Sequence, residues 1–334
     1  MSILKHAVKS IFNAAGLEVR KRPAKESALN PIEMPDNVRE ILGAIETSID
    51  GTTIRGEILR KLRALGLGDF GRFLFSIPDL DFPKLSNLLP RMASKEIQTN
   101  WTGAYGLTLL AQTEDFVRSV SYNFFRLTGR TIESARILDF GCGYGRITRL
   151  MYYFADEDQI YAVDPWDKSI EICHSDGLTE NFLLSDFLPT TLPVGNVRFD
   201  LIFAFSVFTH LSERATLACL KTLTDYIKPG GVIVITIRPV EYWAHNRHAA
   251  SLGLIKEQES IHSSQGFSFL PHEPSSSLPH NLASAPVDRD IDYGDTSMTV
   301  AWIENSFPML RVVGQDRSTT DQLQIYLFIQ MRSS

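Results

Sequence analysis

Residues 135–151 constrain the fold more tightly than any other stretch. An apolar run from Ala135 to Phe140 meets three glycines at alternate positions, Gly141, Gly143 and Gly145, after which Ile147, Leu150 and Met151 recur at helical spacing. A short apolar run, clustered glycines and then a 3.6-residue period read as strand, tight turn and helix. Lacking Cβ atoms, the turn leaves its backbone open to whatever lies beyond the strand's carboxyl end. Taken alone, such a turn serves a dinucleotide site, another nucleoside site, or no ligand at all. The rest of the chain has to decide among them.

Downstream the periodicity alternates. Strands are expected over residues 135–140, 159–164, 181–184, 199–206 and 231–237, with helices over 145–155, 167–174 and 212–227 and a lead-in helix over 107–127. Strands alternating with helices predict βαβ crossovers, and hence an α/β fold with a doubly wound, mostly parallel sheet covered on both faces. Amphipathic helices are expected around Val38–Ile45 and Ile54–Leu62, followed by a proline-punctuated connector to about residue 97. The expected organisation is therefore an N-terminal helical appendage and linker over 1–97 and a main domain over 98–334. Within the latter, an expanded segment at 239–295, rich in Ser, Pro and aromatic side chains, would lie over the site as a lid or acceptor pocket.

Composition removes several function classes. A net charge of -6 gives no bulk attraction to nucleic acid. Cys142, Cys173 and Cys219 are the only cysteines and form no C-x-x-C pair, so neither a disulfide framework nor a cysteine zinc site is expected, and a reducing cytoplasm fits. Residues 3–17 form a basic amphipathic helix by pattern, and residues 1–25 carry six basic side chains against Glu18 alone. Such a helix either makes weak peripheral contact with an anionic membrane or docks on protein.

In a sheet of this topology the ligand lies outside the carboxyl ends of the strands, where Asp139, Asp164 and Asp186 stand. Asp164, nineteen positions after Gly145, can accept hydrogen bonds from both hydroxyls of a ribose. An acidic Asp139 beside the turn is unhelpful to a pyrophosphate and welcome to a ligand that carries an ammonium group.

At this point the chain resembles the class I S-adenosylmethionine-dependent methyltransferases. The resemblance is carried by Asp139-Phe140-Gly141-Cys142-Gly143-Tyr144-Gly145, by Asp164, by Ser185-Asp186-Phe187, by Phe199-Asp200-Leu201-Ile202 running into Ser206-Val207-Phe208-Thr209-His210-Leu211, and by Ile227-Lys228-Pro229-Gly230-Gly231. It covers roughly residues 100–334. It implies a seven-stranded Rossmann-like sheet closed by a C-terminal antiparallel hairpin, for which residues 310–313 and 322–330 are available. It further implies S-adenosyl-L-methionine as cofactor. Gly141, Gly143 and Gly145 would approach its methionine part and Asp139 its ammonium, with Asp164 on the ribose, Asp186 on the adenine amine and Phe187 beside the base. Pro165 and Trp166 would cover a face of that base, and Ser206 would join the site from the end of the fourth strand.

A methyl sulfonium is already a strong electrophile, so a base is needed only for a weak acceptor. His210 either takes a hydroxyl proton or hydrogen-bonds backbone at the start of helix 212–227. The acceptor is expected to be a small or sugar-like molecule methylated at oxygen. A non-catalytic S-adenosylmethionine-binding or partner-binding module and a nicotinamide dehydrogenase are the rival classes. Glu241, His245 and His248 have helical spacing, but no metal is expected, because the sulfonium needs no Lewis acid.

Overall fold

The computed structural model describes residues 34–272 and 292–332. The basic segment over residues 1–25 and the stretch 273–291 lie outside them. In chain order the strands are β1 (Ile137–Phe140), β2 (Ile160–Asp164), β3 (Phe182–Leu184), β4 (Phe199–Ala204), β5 (Ile227–Ile237), β6 (Phe267–Pro271), β7 (Gly294–Met298), β8 (Leu310–Arg317) and β9 (Ile325–Met331). Seven of them form one sheet in the order β3-β2-β1-β4-β5-β9-β8, while β6 and β7 pair as a separate antiparallel ribbon. Strands β1 to β5 run parallel, and β9 returns antiparallel against β5 with β8 outside it. The expected Rossmann-like methyltransferase architecture, closing hairpin included, is the one observed.

The central strands are buried along their whole length, as the runs Ile137-Leu138-Asp139-Phe140 and Phe199-Asp200-Leu201-Ile202-Phe203-Ala204, apolar but for one aspartate each, require of strands covered on both faces. After β3 the chain crosses to the far side of β1, so the winding reverses between β1 and β4. In sheets of this kind the ligand crevice lies at the carboxyl ends of the strands where the winding reverses. The lead-in helix Leu107–Thr128 buries Leu109, Phe116, Val117, Val120 and Phe124, and it ends at Gly129 in the left-handed conformation. No helix among the described residues is long and apolar enough to cross a membrane.

Strand β5 and the expected connector both differ from the sequence expectation. Strand β5 begins at Ile227 rather than 231, taking in Lys228-Pro229-Gly230-Gly231 across an irregularity in its pairing with β4. There the Lys228 ammonium sits 2.7 Å from the Asp200 carboxylate. The segment expected as a connector holds helices Leu67–Ser76, Pro83–Leu88 and Lys95–Thr102. The N-terminal region is tied to the sheet region by Arg55, at the start of helix Arg55–Leu62, on Glu157 at 2.7 Å, by Arg63 at the end of that helix on Asp156 at 2.8 Å, and by the fully buried Arg149, which donates to the Arg91 carbonyl at 2.6 Å. From Met34 onward the described residues belong to one compact unit.

Candidate active site

The crevice is built from the turn upward. The amides of Gly141 and Cys142 donate to the Val163 carbonyl at 2.8 and 3.1 Å, which bends the chain sharply out of β1. All three glycines of the turn have positive φ, a region that a side chain makes costly. A Cβ on Gly141 would lie 2.4 Å from Val207 Cγ2, whereas one on Gly143 would project into open space. The turn is thus packed against the segment after β4 on one side and free on the other.

Asp164 closes β2 and is 8% exposed. One carboxylate oxygen accepts from the Gly143 amide and the other from the Trp166 amide, both at 2.9 Å. These bonds fix the carboxylate beneath the glycine turn and leave further lone pairs on it. Burial raises its pKa, against those two backbone donors that favour the charged form. Asp139 lies deeper, 1% exposed, and accepts from Thr148 Oγ1 at 2.6 Å. Burial pushes its carboxyl up to about 7, with the Thr148 bond opposing. The expected ammonium partner thus lies buried beneath the glycine turn, bonded to Thr148.

An aromatic wall borders the same end of β2. Trp166 stacks on Trp101 with centroids 4.4 Å apart and planes at 28°, and Trp101 lies 5.8 Å from the Tyr144 ring. Trp101 comes from helix Lys95–Thr102, which straddles the boundary expected near residue 97 between linker and main domain. The one signal available was a tryptophan in an otherwise polar segment. Pro165 follows Asp164 in the turn that Trp166 completes. At the end of β3, Asp186 is exposed and Phe187 is half-buried against the core beneath the sheet. Between them and the strand, Ser185 is buried and its hydroxyl has no hydrogen-bond partner among the described residues.

Beyond β4, Ser206 is the non-glycine residue with positive φ among the described residues, at 60°. Its amide donates to Thr236 Oγ1 at 2.7 Å, and its hydroxyl lies 3.3 Å from Thr209 Oγ1. This strained corner directs the chain toward His210. Strand β7 then runs alongside residues 209–211: the Thr296 amide donates to the Thr209 carbonyl and the Gly294 amide to the His210 carbonyl, each at 2.9 Å.

His210 Nδ1 lies 2.8 Å from the Gly294 carbonyl. A carbonyl only accepts, so Nδ1 carries the hydrogen and, in the neutral ring, Nε2 keeps its lone pair. Burial lowers the His210 pKa against that bond, which favours the neutral ring. The ring stacks on Tyr293 at 5.3 Å and 15°. His210 does bond backbone, as one of its two expected roles required, but the partner is β7 rather than helix Glu213–Tyr226, and the bond leaves the other nitrogen free. Tyr293 and Gly294 escaped the sequence analysis because only the tertiary ribbon brings them to the fourth strand.

Residues 137–231 match the family described as a methyltransferase domain. No curated protein matches the chain. Among solved structures, an S-adenosylmethionine-dependent methyltransferase from Clostridium acetobutylicum is 13% identical, with 67% of this chain and 92% of that chain covered and a TM-score of 0.41. Magnesium protoporphyrin IX methyltransferase from Synechocystis, with S-adenosylhomocysteine bound, is 14% identical, covering 71% and 97% at a TM-score of 0.43. A methyltransferase from Anabaena variabilis is 16% identical, covering 73% and 97% at a TM-score of 0.41.

Proposed function

We propose that the chain, whose residues 137–231 match a methyltransferase domain, is a class I S-adenosylmethionine-dependent methyltransferase that methylates a hydroxyl oxygen of a small-molecule or sugar-like acceptor, with His210 as the base. The observation that carries this reading is the His210 ring, held through Nδ1 on the Gly294 carbonyl at 2.8 Å with Nε2 left to accept a proton.

The residues present fit the cofactor. Asp164 offers lone pairs beside the backbone of Gly143, whose missing Cβ leaves open space, and the Ser185 hydroxyl, without a hydrogen-bond partner among the described residues, lies next to Asp186 at the neighbouring strand end. Gly141, Gly143 and Gly145 would admit the methionine part, Asp164 would hold the ribose hydroxyls, Asp186 the adenine amine, and Phe187, Pro165 and Trp166 would border the base. When bound, S-adenosylmethionine supplies an activated methyl group that needs no further electrophilic assistance from the protein. What remains for the chain is to orient the acceptor, exclude water and accept the hydroxyl proton at His210 Nε2. Burial favours the neutral ring and so prepares it for that step at neutral pH.

Asp164→Ala should weaken S-adenosylhomocysteine binding by about 2 to 4 kcal/mol, the loss of charge-assisted bonds in a desolvated site. Isothermal calorimetry that finds the affinity unchanged removes Asp164 from the cofactor site. Acceptor chemistry is read separately, by mass spectrometry of extracts with and without the protein for a product heavier by one methylene; a product methylated on nitrogen or carbon overturns the oxygen assignment.

A further inference from the structure

The histidines after β5 do not all behave as loop residues. The triplet Glu241, His245 and His248 that looked helical in sequence is split, with Glu241 and His245 exposed in a 3-10 turn and His248 on the next helix, Arg247–Leu252. His248 instead meets His272, the residue after β6, and Asp295 of β7, and one nitrogen or oxygen atom from each lies within 4.8 Å of the others. His272 Nε2 donates to Asp295 Oδ2 at 2.9 Å, and His248 Nδ1 lies 3.7 Å from the same oxygen. That His248 nitrogen is buried and has no hydrogen-bond partner among the described residues. Asp295 is 6% exposed. Its other oxygen accepts from the Tyr242 hydroxyl at 2.6 Å, and Tyr242 in turn accepts from Asn246 Nδ2 at 2.9 Å.

We propose that His248, His272 and Asp295 bind a divalent transition-metal ion of the zinc type. Two imidazoles and one carboxylate are a borderline donor set that suits zinc, cobalt or iron, whereas calcium and magnesium require mostly oxygen ligands. Around a tetrahedral ion with bonds of about 2.0 to 2.1 Å the ligand atoms stand roughly 3.3 Å apart. The two separations on Asp295 Oδ2, 2.9 and 3.7 Å, bracket that value. The ion would take the place of the proton that His272 now shares with Asp295 and would supply the partner that His248 lacks. Tyr242 and Asn246 are arranged as outer hydrogen-bond partners are around metal carboxylates, fixing the oxygen that the ion does not use. Three protein ligands leave a coordination position for water or for an oxygen of the acceptor. Gly294, which anchors His210, is the residue next to Asp295. The site does not depend on the methyl-transfer reading, since it rests on other side chains.

The rival is a metal-free network in which Asp295 only joins Tyr242 to His272. The full-length protein, stripped with chelator and titrated with cobalt(II), separates the two. One equivalent should develop visible absorption bands, zinc(II) should displace it, and zinc should raise the melting midpoint. His248→Gln leaves the hydrogen-bond network intact, because His248 takes no part in it, so this variant should melt like the metal-free wild type yet bind cobalt at least about tenfold more weakly. His272→Gln should lose the site. Wild-type protein that binds no cobalt, or variants that both bind it as tightly as wild type, would overturn the assignment.

Discussion

Asp139→Asn isolates what a buried carboxyl under the glycine turn costs. Asp139 is 1% exposed and its carboxyl is pushed up to about 7 from an ordinary value of 3.8, chiefly by burial. A carboxyl whose folded pKa exceeds its unfolded one contributes stability that is fully present below the unfolded value and lost as pH rises through the folded value. At about 1.4 kcal/mol per pKa unit, and with the loss confined to the window between the two values, wild type should lose roughly 2 to 3 kcal/mol from this group between about pH 5 and about pH 8. Asparagine cannot ionise, and its amide oxygen can still accept from Thr148. All other titrating groups are common to both proteins and cancel in the difference. Urea unfolding followed by tryptophan fluorescence at a series of pH values should therefore give two curves that diverge, with the variant gaining on wild type by that amount toward alkaline pH. Parallel curves would refute the reasoning and mean that Asp139 ionises in the folded chain as easily as in water.

If His210 is the base, His210→Gln should lower turnover by about 100-fold while calorimetry finds S-adenosylhomocysteine affinity unchanged, because glutamine can keep the bond to Gly294 but cannot take the proton. The wild-type rate should fall on the acid side as His210 protonates, with the midpoint below the ordinary histidine value of 6.5 because burial lowers it; a near-normal variant rate would leave His210 as a structural residue. Gly294→Ala would set a Cβ 2.2 Å from the Leu270 carbonyl oxygen. Backbone cannot yield there as a flexible side chain would, so the ribbon should open and the melting midpoint fall by the equivalent of about 1 to 3 kcal/mol; an unchanged melt would show that β6 and β7 shift at no cost.

What the sequence determined by itself was the part governed by local pattern. The apolar runs of β1 and β4, the glycine turn and the helical periods between strands each declare themselves within a few residues, and their alternation leaves a doubly wound sheet as the consistent topology. The carboxylate at the end of β2 could be located the same way, since a strand's end is a local property, and Asp164 does sit against the Gly143 amide. Helix Leu67–Ser76 was missed because Gly66, Gly68 and Gly71 break its propensity locally, while its stability comes from burying Phe70, Phe73 and Leu74 against distant parts of the chain. Ribbon β6–β7 was hidden for a related reason. Its buried residues include Ser268, Asp295, Thr296 and Ser297, which read as loop until partners far along the chain, such as the Leu211 carbonyl that accepts from Thr296, satisfy them. Only that tertiary ribbon decides which nitrogen of His210 is free, and only it gathers His248, His272 and Asp295, because contacts between residues tens of positions apart leave no periodic trace in the sequence.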